Sequence, residues 1–322
     1  MKVFITRKIP ARGIDMLKEK GFEVIVSPHD RVLTRDELVE MGRGADAVLA
    51  QLTDRIDGAV VDSWGGSVKI IANYAVGYDN LNTKEIAAKG VRMSNTPDVL
   101  TETVAEHAFA LLLSIAHRIV ESDRFSRAGK YHGWEPELLL GTDMSHKTLG
   151  IVGLGRIGSR VAHHAVKGFD MNVIYYDVRR NEQFEGEMGA SFREKAEDVF
   201  KEADFISIHV PLLDSTRHMV NADLLQHMKP TAYFVNTSRG PIVDEVALRD
   251  ALRAGTIKGA AIDVWENEPE LTPDLANLDN IIITPHTASA TIETRQKMGE
   301  LAAKNIIEVL EGREPLTPIK VA

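Results

Sequence analysis

The chain has 322 residues, enough for about two domains, with 38 Lys plus Arg against 47 Asp plus Glu and a formal net charge of −9. That acidic balance gives the surface no general attraction to nucleic acid or to an anionic membrane. The chain has no cysteine, which excludes disulfides and thiolate chemistry and fits a cytoplasmic protein, and no apolar run is long enough for a signal peptide or a bilayer span.

From the N-terminus, short apolar runs at 3–6, 24–26, 47–50, 69–72 and 91–94 alternate with helical patterns, which predicts a parallel sheet. One helix opens near Pro10, Thr34-Arg35-Asp36-Glu37 reads as a capping box starting a second, and 83–89 reads as a third. This first unit carries no G-x-G-x-x-G run. Its strand ends, Leu52-Thr53 and Tyr74-Ala75-Val76-Gly77, are therefore expected to serve a ligand other than a dinucleotide. Beyond Thr96-Pro97-Asp98, the spacing of Val104, Ala108, Leu111, Leu112, Ile115 and Ile119 predicts one long helix over 101–127, of a length that bridges domains or subunits. The loop-like segment Tyr131-His132-Gly133-Trp134-Glu135-Pro136 follows; Trp134 has no obvious core to fill, and the plain structural role for it is local packing.

Just short of the midpoint stands Gly153-Leu154-Gly155-Arg156-Ile157-Gly158, a G-x-G-x-x-G run. A short buried strand is expected over 148–152 in front of it, and Ile157, Val161, Ala162, Ala165 and Val166 recur at helical spacing behind it. The glycines thus fall on a strand-to-helix turn of the kind that holds a pyrophosphate at a helix N-terminus. The next strand ends in Asp177, 19 positions after Gly158, near the spacing at which such a unit places an acid on the adenosine ribose. Strands at 205–209, 232–236, 259–263 and 281–284 bring this second sheet to six, the number of a full doubly wound dinucleotide domain. The last helix, about 291–311, has an apolar face suited to covering the first unit.

Arg239, Glu268 and His286 lie just beyond successive strand ends of this second sheet, and strand ends on one sheet edge face one crevice. Reduction of a 2-oxo acid by a nicotinamide needs a cation for the carboxylate and carbonyl and a proton donor for the developing alkoxide. Arginine supplies the planar fork, and a histidine beside a carboxylate supplies the proton. Taken singly, Arg239 also reads as a structural ion pair, Glu268 as a solvated acid and His286 as one of 11 histidines. No metal site is expected: there is no H-E-x-x-H, and His163 and His164 are adjacent on a helix and face different ways.

Several stretches in order resemble the D-isomer-specific 2-hydroxyacid dehydrogenases, over nearly the whole chain: Ala72 to Asn80, Asn95 to Thr101, the fingerprint, His209-Val210-Pro211-Leu212, Asn236 to Pro241, and Thr284 to Ala290. Within that family the chain looks most like glyoxylate and hydroxypyruvate reductases. The resemblance implies an α/β protein of two Rossmann-like doubly wound parallel-sheet domains, the substrate domain discontinuous: 1–98 and a rejoining helix in 287–322, around a dinucleotide domain at 99–286. It implies Arg239, Glu268 and His286 as the catalytic set, and Gly153, Gly155, Arg156, Ile157, Gly158, Asp177, Val210, Pro211, Thr216, Thr237 and Asp263 as cofactor residues. The substrate would meet Leu52, Tyr74, Arg239 and the backbone of Val76 and Gly77, with Trp134 reaching the partner's pocket in a homodimer built on the long helix. Asp177 favours NAD(H) over NADP(H), since a carboxylate repels a 2′-phosphate, while Arg179 and Arg180 could soften that preference, which leaves tolerance of NADPH open. Alternatives from the same fold are dehydrogenases of formate, phosphite or 3-phosphoglycerate, the last often with an extra regulatory domain for which no chain is expected after about Glu311. An NADH-binding corepressor is the other alternative; its expected flanking disordered tails find no counterpart in this compact sequence.

Overall fold

The computed structural model describes residues 1–321. In chain order the elements are β1 (Lys2–Ile5), α1 (Ala11–Glu19), β2 (Glu23–Val26), α2 (Arg35–Gly42), β3 (Ala47–Ala50), α3 (Gly58–Ser63), β4 (Ile70–Asn73), α4 (Thr83–Ala88) and β5 (Arg92–Ser94). There follow α5 (Thr101–Ala116), α6 (Ile119–Arg127), β6 (Thr148–Val152), α7 (Arg156–Phe169), β7 (Asn172–Tyr176), α8 (Glu182–Met188), β8 (Ser191–Phe192), α9 (Ala196–Glu202) and β9 (Phe205–Ile208). The rest are α10 (Ala222–Gln226), β10 (Tyr233–Asn236), α11 (Glu245–Ala254), β11 (Gly259–Ile262), β12 (Ile281–Ile283) and α12 (Ile292–Leu310). The chain divides into two compact units, Met1–Leu100 with Ala290–Ala322, and Thr101–Ser289.

In the first unit, five parallel strands stand in the order β2-β1-β3-β4-β5, each within one residue of the run expected from sequence. Every residue of β3 and β4 is buried, as parallel strands covered on both faces require. The capping box at α2 is present: Glu37 N–H donates to Thr34 Oγ1 at 3.2 Å and Thr34 N–H to Glu37 Oε2 at 2.9 Å. Helix α12 closes on α1, where Gly13 approaches so closely that a Cβ would lie 2.6 Å from the Gly299 carbonyl oxygen. Helix α3 is an element the sequence pattern does not show; Asp57 caps it by accepting the Val60 N–H at 2.9 Å.

In the second unit the sheet is parallel, in the order β12-β11-β10-β9-β6-β7-β8. It has seven strands rather than the expected six, because the two-residue β8 pairs with β7 at the edge. The single helix expected over 101–127 is two helices bent 60° apart. The Ala116 carbonyl, which in an unbroken helix accepts from the Val120 N–H, instead takes the Thr142 N–H at 2.9 Å, and Arg118 turns to a left-handed φ of 54°. The apolar stripe therefore stops at Ile115, and Ile119 is 54% exposed. Among the described residues, no single helix is long and apolar enough to cross a membrane.

Candidate active site

Strands β9, β10, β11 and β12 are neighbours in the second sheet, and from their C-terminal ends lead His209, Arg239, the 263–268 segment and His286. In a parallel sheet this is the edge at which ligands bind. Glu268 and His286 meet there: His286 Nδ1 lies 2.9 Å from Glu268 Oε2, and the Trp265 N–H donates to Oε1 at 3.2 Å. An ionised carboxylate only accepts, so Nδ1 carries its proton and Nε2 is the nitrogen left to exchange one with a ligand. Both side chains keep partial exposure, 30% for Glu268 and 24% for His286.

His286 sits at φ 54°, an uncommon conformation for a residue with a side chain. Asp263, with no exposed surface, holds that turn. Its backbone carbonyl accepts the His286 N–H, Oδ1 the Thr287 N–H and Oδ2 the Ala288 N–H, each at 2.8 Å. Thr284 Oγ1 also donates to Oδ1 at 2.6 Å, and His107 Nε2 stands 3.2 Å from that hydroxyl. Burial pushes the Asp263 carboxyl up, but the bonds from His107, Thr284, Thr287 and Ala288 outweigh it and hold the group below the usual carboxylate range.

Arg239 follows β10 in a turn organised by Asn236. Asn236 Nδ2 donates to the Arg239 carbonyl at 2.9 Å, and Asn236 Oδ1 accepts from Ser238 N–H at 3.0 Å and Ser238 Oγ at 2.7 Å. The next residue, Gly240, lies directly against the Trp265 carbonyl, leaving no room for a Cβ, so the Arg239 turn and the Glu268 loop are packed on each other. Beneath that loop Glu245, buried, accepts from the Glu266 N–H and from Thr272 Oγ1. Neither Glu245 nor His107 stands out in the sequence; the one signal was a polar residue inside an otherwise apolar helix stripe, for His107.

The fingerprint turn is tight at its first and third glycines and open at its second. Gly153, at φ 96°, allows the turn, and a Cβ there would lie 2.8 Å from the His209 backbone. Gly158 packs against the Gly153 carbonyl with no space for a Cβ, whereas a Cβ on Gly155 would meet nothing within 4 Å. Gly155 is the N-cap of α7 and offers no side chain, so the first-turn N–H groups of Arg156, Ile157 and Gly158 lie beside open space suited to a pyrophosphate. Asp177 directly follows β7 and is anchored by Leu154 N–H at 2.7 Å and Arg179 N–H at 3.2 Å. Thr237 Oγ1 is buried without a hydrogen-bond partner, an orphan that a nicotinamide amide would satisfy. Thr216 Oγ1 instead closes its own turn on the Pro211 carbonyl at 2.6 Å, beside half-buried Val210. These residues fit the group.

In the first unit, Asn95 Nδ2 holds the Val76 carbonyl at 2.7 Å, which turns the Gly77 N–H of the same trans peptide the opposite way. Leu52 is half-buried. Tyr74 is buried and its hydroxyl donates to the Arg295 carbonyl, so its phenol serves the core and only its backbone is left for a ligand. Trp134 is 81% exposed, which removes the local-packing role. Among the described residues no three His, Asp or Glu side chains converge as metal ligands.

The chain is similar to known proteins. The model of the D-isomer specific 2-hydroxyacid dehydrogenase NAD binding domain matches residues 109–288. The chain is 46% identical to the glyoxylate reductase of Pyrococcus furiosus over 320 residues, 98% of this chain and 94% of that one. Among solved structures it is similar to the TT0316 protein of Thermus thermophilus, at 41% identity and a TM-score of 0.93, covering 99% of this chain and 100% of that one. It is also similar to the NADPH-dependent glyoxylate/hydroxypyruvate reductase of Sinorhizobium meliloti in complex with NADP and malonate, at 32% identity and a TM-score of 0.86, covering 99% and 96%.

Proposed function

Because the chain belongs to the D-isomer specific 2-hydroxyacid dehydrogenase family, we propose that it reduces a small 2-oxo acid, glyoxylate or hydroxypyruvate, to the D-2-hydroxy acid with NADH. Family membership makes it a nicotinamide-dependent oxidoreductase of 2-oxo and 2-hydroxy acids; the choice of substrate and of NADH is the reading offered here. The observation that carries it is the Glu268–His286 hydrogen bond of 2.9 Å at the sheet edge that also bears Arg239.

A reduced nicotinamide held at the fingerprint turn would supply the hydride for C2 of the oxo acid. Arg239 binds the carboxylate and carbonyl through its fixed cation, polarising the carbonyl. His286 donates from Nε2 to the carbonyl oxygen as it gains charge, so the product leaves as an alcohol. Glu268 holds Nδ1–H and stabilises the charged ring before transfer. The backbone N–H groups of Val76 and Gly77 bind the substrate carboxylate, with Leu52 bordering it. Thr237 and Asp263 would hold the nicotinamide amide, and Asp177 would bind the adenosine ribose hydroxyls and reject a 2′-phosphate.

The enzyme acts as a homodimer in the cytoplasm. The dimer is supported by the exposed apolar side chains Ile119, Tyr131, Trp134 and Leu140 on and after α6, and the compartment by the absence of cysteine. The test is loss of nicotinamide absorbance with purified protein, NADH or NADPH, and glyoxylate, hydroxypyruvate or pyruvate. Turnover of glyoxylate or hydroxypyruvate with NADH is expected. Tight NADH binding without turnover of any 2-oxo acid overturns the enzymatic reading in favour of an NADH-binding regulatory protein.

A further inference from the structure

Two arginines follow Asp177 directly after Val178, and an arginine at this place offers a fork for the 2′-phosphate of NADPH. A surface pocket at the end of β7 is lined by Leu154, Gly155, Asp177, Arg179, Arg180 and Glu182 among others, so both cations border the space where the adenosine ribose belongs. One of them is already engaged. Arg180 Nε donates to Glu185 Oε1 at 2.9 Å and Nη2 to Glu185 Oε2 at 2.7 Å, a bidentate pair. The guanidinium also lies 6.0 Å from the Phe192 ring centroid and 4.0 Å from Glu182.

Glu185 is itself fixed. Its side chain is 15% exposed against 55% for Arg180. The Tyr175 hydroxyl donates to Glu185 Oε1 at 2.8 Å and accepts the Asn181 N–H at 2.8 Å, while Asn181 Oδ1 caps α8 through the Phe184 N–H at 3.0 Å. The acid is therefore part of a rigid helix start, and the arginine is the flexible partner drawn to it.

We propose that Glu185 is a cofactor-specificity residue: by binding Arg180 on both of its oxygens it withholds that cation from a 2′-phosphate, so that discrimination against NADPH rests on Asp177 and Glu185 together. This rests on the NADH reading above. Asp177 repels the phosphate, and Glu185 removes one of the two compensating charges that border the pocket. Replacing Asp177 alone takes away the repulsion and still leaves Arg180 committed elsewhere.

The experiment measures calorimetric binding of adenosine 2′,5′-bisphosphate and of 5′-ADP to the full-length protein and to Asp177→Ser, Glu185→Gln and the double variant. Glutamine keeps an oxygen for the Tyr175 hydroxyl, so the helix start is retained while the ionic partner of Arg180 is lost. Asp177→Ser should raise 2′,5′-bisphosphate affinity and weaken 5′-ADP, and the double variant should raise 2′,5′-bisphosphate affinity by about a further tenfold, more than the two single effects combined, with 5′-ADP bound as in Asp177→Ser. Arg180→Ala should cancel that further gain in the double variant and change nothing in Asp177→Ser. A double variant no better than Asp177→Ser overturns the proposal. So does a loss on Arg180→Ala in the Asp177→Ser background, a comparison that does not depend on Glu185→Gln folding. Wild-type protein that binds NADPH as tightly as NADH overturns the underlying NADH reading before any variant is compared.

Discussion

The Glu268 carboxylate bridges two groups, taking the Trp265 N–H on one oxygen at 3.2 Å and facing His286 Nδ1 with the other at 2.9 Å. One acid thus fixes the loop on which it stands and the tautomer of the ring it faces. Glu268→Gln retains an oxygen for the Trp265 N–H and places an amide N–H against Nδ1–H, which removes the acceptor. The kcat for glyoxylate reduction is expected to fall on the order of 10²-fold, with NADH affinity unchanged. A kcat within about twofold of wild type would remove Glu268 from the proton-transfer pair.

The fingerprint glycines separate fold from function. A Cβ on Gly155 meets open space, so Gly155→Ala should melt with wild type yet bind NADH less tightly, because the methyl enters the room kept for phosphate. A Cβ on Gly158 meets the Gly153 carbonyl, so Gly158→Ala should cost about 1–3 kcal/mol of stability. Urea unfolding and NADH titration of both variants check the contrast; equal stability losses would contradict it.

His209 gives the second unit a pH dependence of known sign. Its imidazole lies 2.8 Å from the buried Ser207 hydroxyl, and burial pushes it from 6.5 down to about 3. The folded protein keeps the ring neutral, while the unfolded chain takes a proton near 6.5. The unfolded state therefore binds more protons between these values: stability is full above about 6.5 and falls as pH drops toward about 3. Between pH 7.5 and 5 this one group accounts for at most about 2 kcal/mol. The urea midpoint of His209→Gln should fall less over that interval than that of wild type, and parallel curves would contradict the assignment.

Much of this organisation is legible in the sequence because it follows from burial and periodicity. The first-unit strands are short apolar runs between helices, and each appears within one residue of its expected place. The catalytic candidates are legible for a related reason, since Arg239, Glu268 and His286 are polar residues just past apolar runs. The failures have a common cause in contacts distant along the chain. The break at Arg118 depends on Thr142 taking the Ala116 carbonyl, which no local pattern reveals. Strand β8 has two residues and no room for an alternation. Asp263 reads only as a cofactor residue, yet its three bonds across 286–288 also set the backbone of His286. Tyr74 looks available beside Val76 and Gly77, but its hydroxyl is used by α12.

The most direct test of the central claim is the pairing of kcat for glyoxylate reduction with the NADH dissociation constant in wild type and His286→Asn. Asparagine tolerates the left-handed backbone at 286, where φ is 54°, so the turn held by Asp263 is preserved while the proton donor is removed. The expected result is a fall in kcat of about 10²–10⁴-fold with NADH affinity unchanged. A variant that keeps near-wild-type kcat, or one that loses NADH binding and turnover together, would contradict His286 as the acid.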